Sequence, residues 1–326
     1  MSRGPRFPAF AARAPWWGPD LQTVRNVLRP PAPPGVAAER RTLPLSDGSG
    51  DALIARLQPP PEERGRALAV LIHGLSGSAD SAYMHASASA LLHRGHPVLR
   101  LDLRGAGESR ALCRLQYHAG RTADLRDALL ALPEARSSAG LVLMGFSLGA
   151  NLLLKFLAEY GDDFPIVAAA SVSAPLDLSA ASRRFMARRN RFYQRHMLAA
   201  MKTEATLAGA ELSEDERRAI ASARTVWEFD ERFVAPRNGW AGAEDYYAAN
   251  AALRFLPEIR VPTLVIHALD DPWIPGETHR ALDWTRSPGL IPLLPAAGGH
   301  VGFHGRDDRQ PWHDRCLAAF LDALGA

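Results

Sequence analysis

The segment best suited to chemistry is Gly145-Phe146-Ser147-Leu148-Gly149, which stands where an apolar, strand-like run ends and a helical pattern begins. A serine on so sharp a strand-to-helix turn holds its hydroxyl out where a reacting group can reach it. The glycines on either side are needed because a Cβ atom there would run into neighbouring backbone. The spacing makes Ser147 a candidate nucleophile. A hydroxyl attacks only when a base takes its proton, and the base needs an acid to fix its tautomer and stabilise its cation. With this kind of turn the acid, and then a histidine, follow the serine along the chain.

The candidate base is His300, in Gly298-Gly299-His300-Val301-Gly302-Phe303, where glycines let a loop carry the ring onto the serine. Of the eleven histidines it alone combines that chain order with a loop after a strand. His304 lies one helical turn further on, and His313 falls in the terminal helical pattern. The candidate acid lies in Ala268-Leu269-Asp270-Asp271-Pro272, and both aspartates are eligible. Acyl transfer also needs donors aimed at a developing oxyanion. One is the backbone N–H of Leu148, at the helix start just after the serine. The other is expected from the loop His73-Gly74-Leu75-Ser76-Gly77, with the Leu75 N–H as the donor. The stretch Asp102-Leu103-Arg104-Gly105-Ala106-Gly107-Glu108-Ser109 lacks the Lys-Ser/Thr of a phosphate loop and the full glycine pattern of a dinucleotide site, so it reads as a turn. No His-Glu-x-x-His or Cys-x-x-Cys spacing appears, so no metal is expected.

These residues must be positioned by a sheet. From residue 67 short apolar strands alternate with helical patterns: strands over 67–72, 97–103, 140–145 and 166–172, with helices near 81–94, 122–132 and 147–160. Runs without polar alternation are buried on both faces, which predicts a parallel sheet covered by helices. The rhythm resumes with strands over 263–267 and 290–294, a helix near 277–285 and a last helix over 311–324. Before it, 41–45 and 52–57 flank Ser46-Asp47-Gly48-Ser49-Gly50 as a hairpin. Residues 176–259 are mostly helical, rich in Arg and in aromatics such as Phe185, Phe192, Tyr193, Trp227, Trp240 and Tyr246, and are too long for a structureless loop. They read as a cap inserted between strands 6 and 7, dividing a body of 36–175 and 260–326. Its aromatics form either an apolar acyl pocket or simply the core of the cap. Residues 1–35 read as an arm packed on the body by Trp16 and Trp17 and closed by a Pro-rich turn.

The whole chain has 326 residues, 47% hydrophobic and 22% charged, within the range of a globular protein. Its 38 basic residues exceed 35 acidic ones by only +3, too little to suggest a nucleic-acid partner. Lys155 and Lys202 are the only lysines. Cys113 and Cys316 read as two reduced thiols. No apolar run reaches the length of a membrane span and no secretory pattern opens the chain, so a cytoplasmic location is expected.

These motifs resemble the α/β-hydrolase superfamily over 67–326. The narrower resemblance is to the YheT-like hydrolases and abhydrolase-domain esterases, carried by Pro15-Trp16-Trp17, Leu21-Gln22-Thr23, Tyr117-His118-Ala119-Gly120, Asn151, Glu228-Phe229-Asp230 and Asp245-Tyr246-Tyr247. Asp102-Leu103-Arg104-Gly105-Ala106-Gly107 departs from the Asn-led, Cys-containing version common in that group. The resemblance implies an α/β-hydrolase fold and favours Asp271, four residues before Pro275, over Asp270, which then caps the loop. It also makes His73 a brace for the oxyanion loop. It implies a serine carboxylesterase acting on short-chain or acylglycerol-type esters through an acyl-serine, without a cofactor. Haloperoxidase-like perhydrolysis and non-catalytic binding on the same scaffold are the competing expectations. Haloalkane and epoxide hydrolases carry Asp where this chain has Ser147.

Overall fold

The computed structural model describes residues 5–133, 138–207 and 209–326. The expected arm and cap therefore each include positions, 1–4 and Ala208, that lie outside the described residues. Eight strands form one sheet in the order β1-β2-β4-β3-β5-β6-β7-β8. They are β1 (Glu39–Pro44), β2 (Ala52–Gln58), β3 (Leu68–Ile72), β4 (Val98–Asp102), β5 (Leu141–Phe146), β6 (Ile166–Val172), β7 (Thr263–Ile266) and β8 (Leu290–Leu293). β1 pairs antiparallel with β2, and β2 antiparallel with β4; every other pairing is parallel.

Helices of eight or more residues are α1 (Pro19–Leu28), α2 (Ala82–His93), α3 (Thr122–Leu130), α4 (Leu148–Tyr160), α5 (Leu178–Phe185), α6 (Arg191–Thr206), α7 (Glu214–Ser222), α8 (Ala243–Asn250) and α9 (Trp312–Leu324). Alternate residues of β3 explain why its pattern is apolar throughout. Leu68, Val70 and Ile72 join a core with Leu152, Leu153 and Phe156 of α4, while Ala69 and Leu71 join another with α2 and α9. Each face of the strand is buried, and the layered core fixes the carboxyl ends of β3, β5, β7 and β8 beside one another.

Helices α5 to α8 and the short turns between them follow β6 and precede β7. The cap is tied to the body through Asn151 of α4. Its Nδ2 donates to Asn250 O (2.9 Å) and Ala119 O (3.3 Å), and its Oδ1 accepts from Ala252 N (2.8 Å). Tyr246 Oη accepts from Ala119 N at 2.9 Å, so the Tyr117–Gly120 loop is the seam of cap and body.

Three expectations are corrected. The helix expected over 277–285 is only Gly276–Arg280, followed by a 3-10 turn at Trp284–Arg286. The arm is not held by both tryptophans: Trp16 is buried, but Trp17 is 63% exposed. The reason is that the arm contains α1, whose buried face is made by Gln22 and Thr23 rather than by aromatic rings. Phe192 does not enter the cap interior either, and is 71% exposed.

Candidate active site

The tight turn after β5 puts Ser147 at φ 51°, ψ −121°, a strained conformation for a residue with a Cβ. Close packing explains its glycines. A Cβ on Gly145 would lie 2.5 Å from Gly149 O, and one on Gly149 would lie 2.2 Å from His73 O. Gly74 faces the serine itself, since a Cβ there would stand 2.9 Å from Ser147 Cβ.

The structure brings together three of the residues singled out from sequence. His300 Nε2 lies 2.9 Å from Ser147 Oγ, and His300 Nδ1 lies 2.8 Å from Asp271 Oδ2. The other Asp271 oxygen, Oδ1, accepts from Trp273 N (2.8 Å) and Ile274 N (3.0 Å). Burial alone would raise the Asp271 carboxyl, but the charge and hydrogen bond of His300, the nearby His267 and the Trp273 amide outweigh it. They hold the carboxyl below its ordinary value. Asp270 points elsewhere: its Oδ1 accepts from Gly299 N at 2.9 Å, pinning the loop that carries His300.

That loop is wound through positive φ at Gly298, Gly299, Val301 and Phe303. It is held from two sides. Val301 N donates to Ser173 Oγ (3.1 Å), and His300 N donates to Thr23 Oγ1 (2.9 Å) on α1. Gln22, one residue before, is fully engaged with the same loop. Its Oε1 accepts from His304 N (2.7 Å), while its Nε2 donates to Trp16 O (2.7 Å) and His304 O (3.2 Å). A Cβ on Gly299 would meet Pro19 O at 2.5 Å, and one on Gly302 would meet Gln22 O at 2.6 Å. Here the glycines serve close approach of α1, as well as the path of the chain.

On the opposite side, the amides next to Leu75 are committed. Gly74 N donates to Tyr83 Oη (3.0 Å) and Ser76 N to Tyr117 Oη (2.7 Å). Leu75 N–H, between them, has no protein partner among the described residues, and Leu148 N–H opens α4, where first-turn amides lack intrahelical acceptors. His73 sits beneath this loop, fully buried. Its Nε2 accepts from Leu103 N (3.0 Å) and its Nδ1 faces Gly74 O (2.8 Å). Burial lowers its pKa to about 4, so at neutral pH it is an uncharged brace.

Apolar side chains surround the serine–histidine pair. Trp273 tilts over His300 with ring centroids 4.3 Å apart and packs edge-on against Phe185 and Tyr193 of the cap. Leu75 packs on the cap cluster of Phe229, Phe233 and Met201, and Leu148 on that of Tyr246 and Tyr247. Glu204 of α6 enters this apolar wall, accepting from Tyr117 Oη at 3.2 Å, and burial raises its pKa to about 7. Sequence reasoning had no specific role for Thr23, Gln22, Tyr83, Tyr117 or Trp273. Thr23, Gln22 and Tyr117 stand inside motifs that the resemblance picked out, which is the one signal available for them. Among the described residues no group of three His, Cys, Asp or Glu is placed to hold a metal ion.

A mostly parallel sheet with a serine at a β5–α4 elbow, an acid after β7 and a histidine after β8 defines the α/β-hydrolase class. Residues 69–307 match the family model described as the alpha/beta hydrolase fold. The chain is 35% identical over 269 residues to Escherichia coli YheT, whose name assigns it only provisionally as an esterase; the match covers 81% of this chain and 78% of that one. It is 30% identical to a Saccharomyces cerevisiae monoacylglycerol lipase, covering 77% of this chain but 58% of the yeast protein. An esterase structure from Pyrococcus furiosus shares the fold at 16% identity, TM-score 0.58, with 98% of each chain covered. The chain thus belongs to the α/β-hydrolase family, in its YheT-like branch of carboxylic ester hydrolases.

Proposed function

We propose that the protein is a serine carboxylesterase for short-chain or acylglycerol-type esters, working through an acyl-serine intermediate. Ser147 Oγ attacks the ester carbonyl as His300 Nε2 takes its proton, and Asp271 holds the imidazole in the tautomer that can accept it. The carbonyl oxygen, gaining charge, is met by the Leu75 and Leu148 amides. His300 then gives its proton to the departing alcohol. Water repeats the sequence, attacking the acyl group as His300 takes a proton, and Ser147 leaves with that proton restored. The single observation that carries this reading is the continuous Asp271–His300–Ser147 hydrogen-bonded chain, with both links under 3 Å.

The acyl chain would lie against Trp273, Leu75 and Leu148, a wall suited to an uncharged ester. A lipid-type ester is favoured by this apolar lining and by the similarity to the yeast monoacylglycerol lipase. An acyl-chain-length series of p-nitrophenyl and glycerol esters, run on the parent and Ser147→Ala side by side, tests the proposal. Turnover by the parent and none by the variant is expected; full turnover by Ser147→Ala would refute it.

A further inference from the structure

Helix α1 has two opposed faces. Gln22 and Thr23 point into the His300 loop, while Leu21, Val24 and Leu28 fall at helical spacings i, i+3 and i+7 on the other side. That outer side is apolar and faces water. Leu21 is 43% and Leu28 61% exposed on it, Val27 at 81% stands on its flank, and the exposed Trp17 lies just before the helix. A soluble surface scatters large apolar groups singly, so four such side chains within twelve residues are a patch in search of a partner.

The charges around the patch identify the partner. Residues 5–38 and 178–203 hold four and seven Arg and Lys respectively, against one acid, Asp20, although the whole chain carries only +3. The two segments meet in space: Asp20 Oδ2 pairs with Arg189 Nη2 at 3.0 Å and Asp20 Oδ1 accepts from Tyr193 Oη at 3.0 Å. Arg13, Arg25 and Arg29 are close enough that the Arg25 pKa is lowered, by burial first and then by its two neighbours. Arg184, Arg188, Arg191 and Arg195 are exposed on the cap side, with the exposed Phe192 among them.

We infer that α1 and the adjoining basic edge of the cap form a docking surface for an anionic lipid bilayer. The apolar stripe enters the boundary between headgroups and acyl chains, with Trp17 at the headgroup level, and the arginines meet lipid phosphates. A nucleic-acid partner has no use for the aliphatic stripe, and a second copy of this chain would bring the same positive field against itself. The inference is independent of the ester reading, because docking does not require turnover. Its consequence for that reading is geometric: the helix on the lipid would be the one whose other face grips the His300 loop.

The test is cosedimentation of the full chain with phosphatidylcholine vesicles, with and without phosphatidylglycerol. Binding is expected to the phosphatidylglycerol vesicles, falling as salt is raised. The charge-reversed variant R184E/R188E/R191E/R195E is expected to bind more weakly by roughly fivefold for each arginine lost, the attraction a basic residue feels beside an anionic leaflet. Leu21→Glu/Leu28→Glu is expected to abolish binding. Quenching of Trp17 by brominated lipid, absent in Trp17→Phe, is the direct readout of insertion. Hydrolysis of a water-soluble ester reports that each variant is folded, and because it also reports the ester reading, its failure in the parent would count against that reading and not against docking. No binding to phosphatidylglycerol vesicles, binding unaltered in these variants, or a concentration-dependent dimer that hides Trp17 without lipid would each overturn the inference.

Discussion

Replacing Thr23 by Val keeps the side chain's shape and removes the one oxygen that accepts from the His300 backbone. Thr23 Oγ1 takes the His300 N–H at 2.9 Å and donates to Pro19 O at 2.7 Å, so the hydroxyl ties the base loop to the first turn of α1. Without it the amide is left in a packed setting with no acceptor, at a cost of about 1–3 kcal/mol. The strained loop can relieve that cost only by moving, and movement draws Nε2 away from Ser147 Oγ. If the cost appears in the transition state, kcat falls by from about fivefold to about 150-fold. Thr23 does not line the Trp273–Leu75 wall, so KM for a short ester is expected to stay near the parent value. Steady-state hydrolysis of p-nitrophenyl butyrate by parent, Thr23→Val and Thr23→Ser provides the assay. Thr23→Ser should recover most of kcat because it restores the acceptor. A Thr23→Val enzyme with unchanged kcat, or one that loses rate only through KM, would refute the argument that α1 positions the base.

The remaining predictions use the same geometry. Asp271→Asn should lower kcat by orders of magnitude, because the amide cannot hold the imidazole in the required state, whereas Asp270→Asn should cost far less; comparable losses in both would contradict the separate contacts of the two carboxylates. Arg104 is buried against Asp124 (2.7 and 2.8 Å) and Asp51 (3.1 Å), with Asp47 also paired to it (2.8 Å). Arg104→Met should therefore lower unfolding stability in urea by about 3–5 kcal/mol, the usual cost of leaving buried charge unpaired. Burial raises the Asp314 pKa to about 7, and its Oδ2 has no partner among the described residues while its Oδ1 accepts from Ser87 Oγ at 2.6 Å. The folded state holds that proton more tightly than the unfolded one. This stabilising contribution is fully present below about pH 4, the ordinary carboxylate value, and is lost progressively as pH rises from there to about 7. The Tm of Asp314→Asn relative to the parent should accordingly rise with pH across this window, and a flat difference would show that Asp314 does not titrate there.

The sheet and its elbow were legible because they rest on local rules. Unbroken apolar runs mark β3, β5 and β6, and the two glycines around Ser147 are demanded by contacts within one strand-to-helix turn. His300 was legible for the same reason, as the histidine in a glycine-rich loop after the last strand. What was hidden is long-range. Thr23 and His300 are 277 residues apart, and no local pattern announces that one hydroxyl will meet that amide. The two adjacent aspartates could not be separated by residue type alone, and the structure distinguishes them by direction, Asp271 toward the imidazole and Asp270 toward Gly299 N. Trp17 was misleading where Trp16 was not, because two adjacent tryptophans look alike in sequence and nothing local says which one the body covers. Net charge was similarly blind to place: a near-neutral sum conceals a basic edge balanced by acids elsewhere.

The central claim is that Ser147 is the nucleophile activated by His300. Its most direct test is labelling of the native protein with a fluorophosphonate probe, read by intact mass and by mapping the modified peptide. One probe is expected per chain, on Ser147 in the Gly145–Gly149 turn, with labelling abolished in Ser147→Ala and slowed by orders of magnitude in His300→Ala. Active protein that remains unlabelled, or that carries the probe on another residue, would contradict the account.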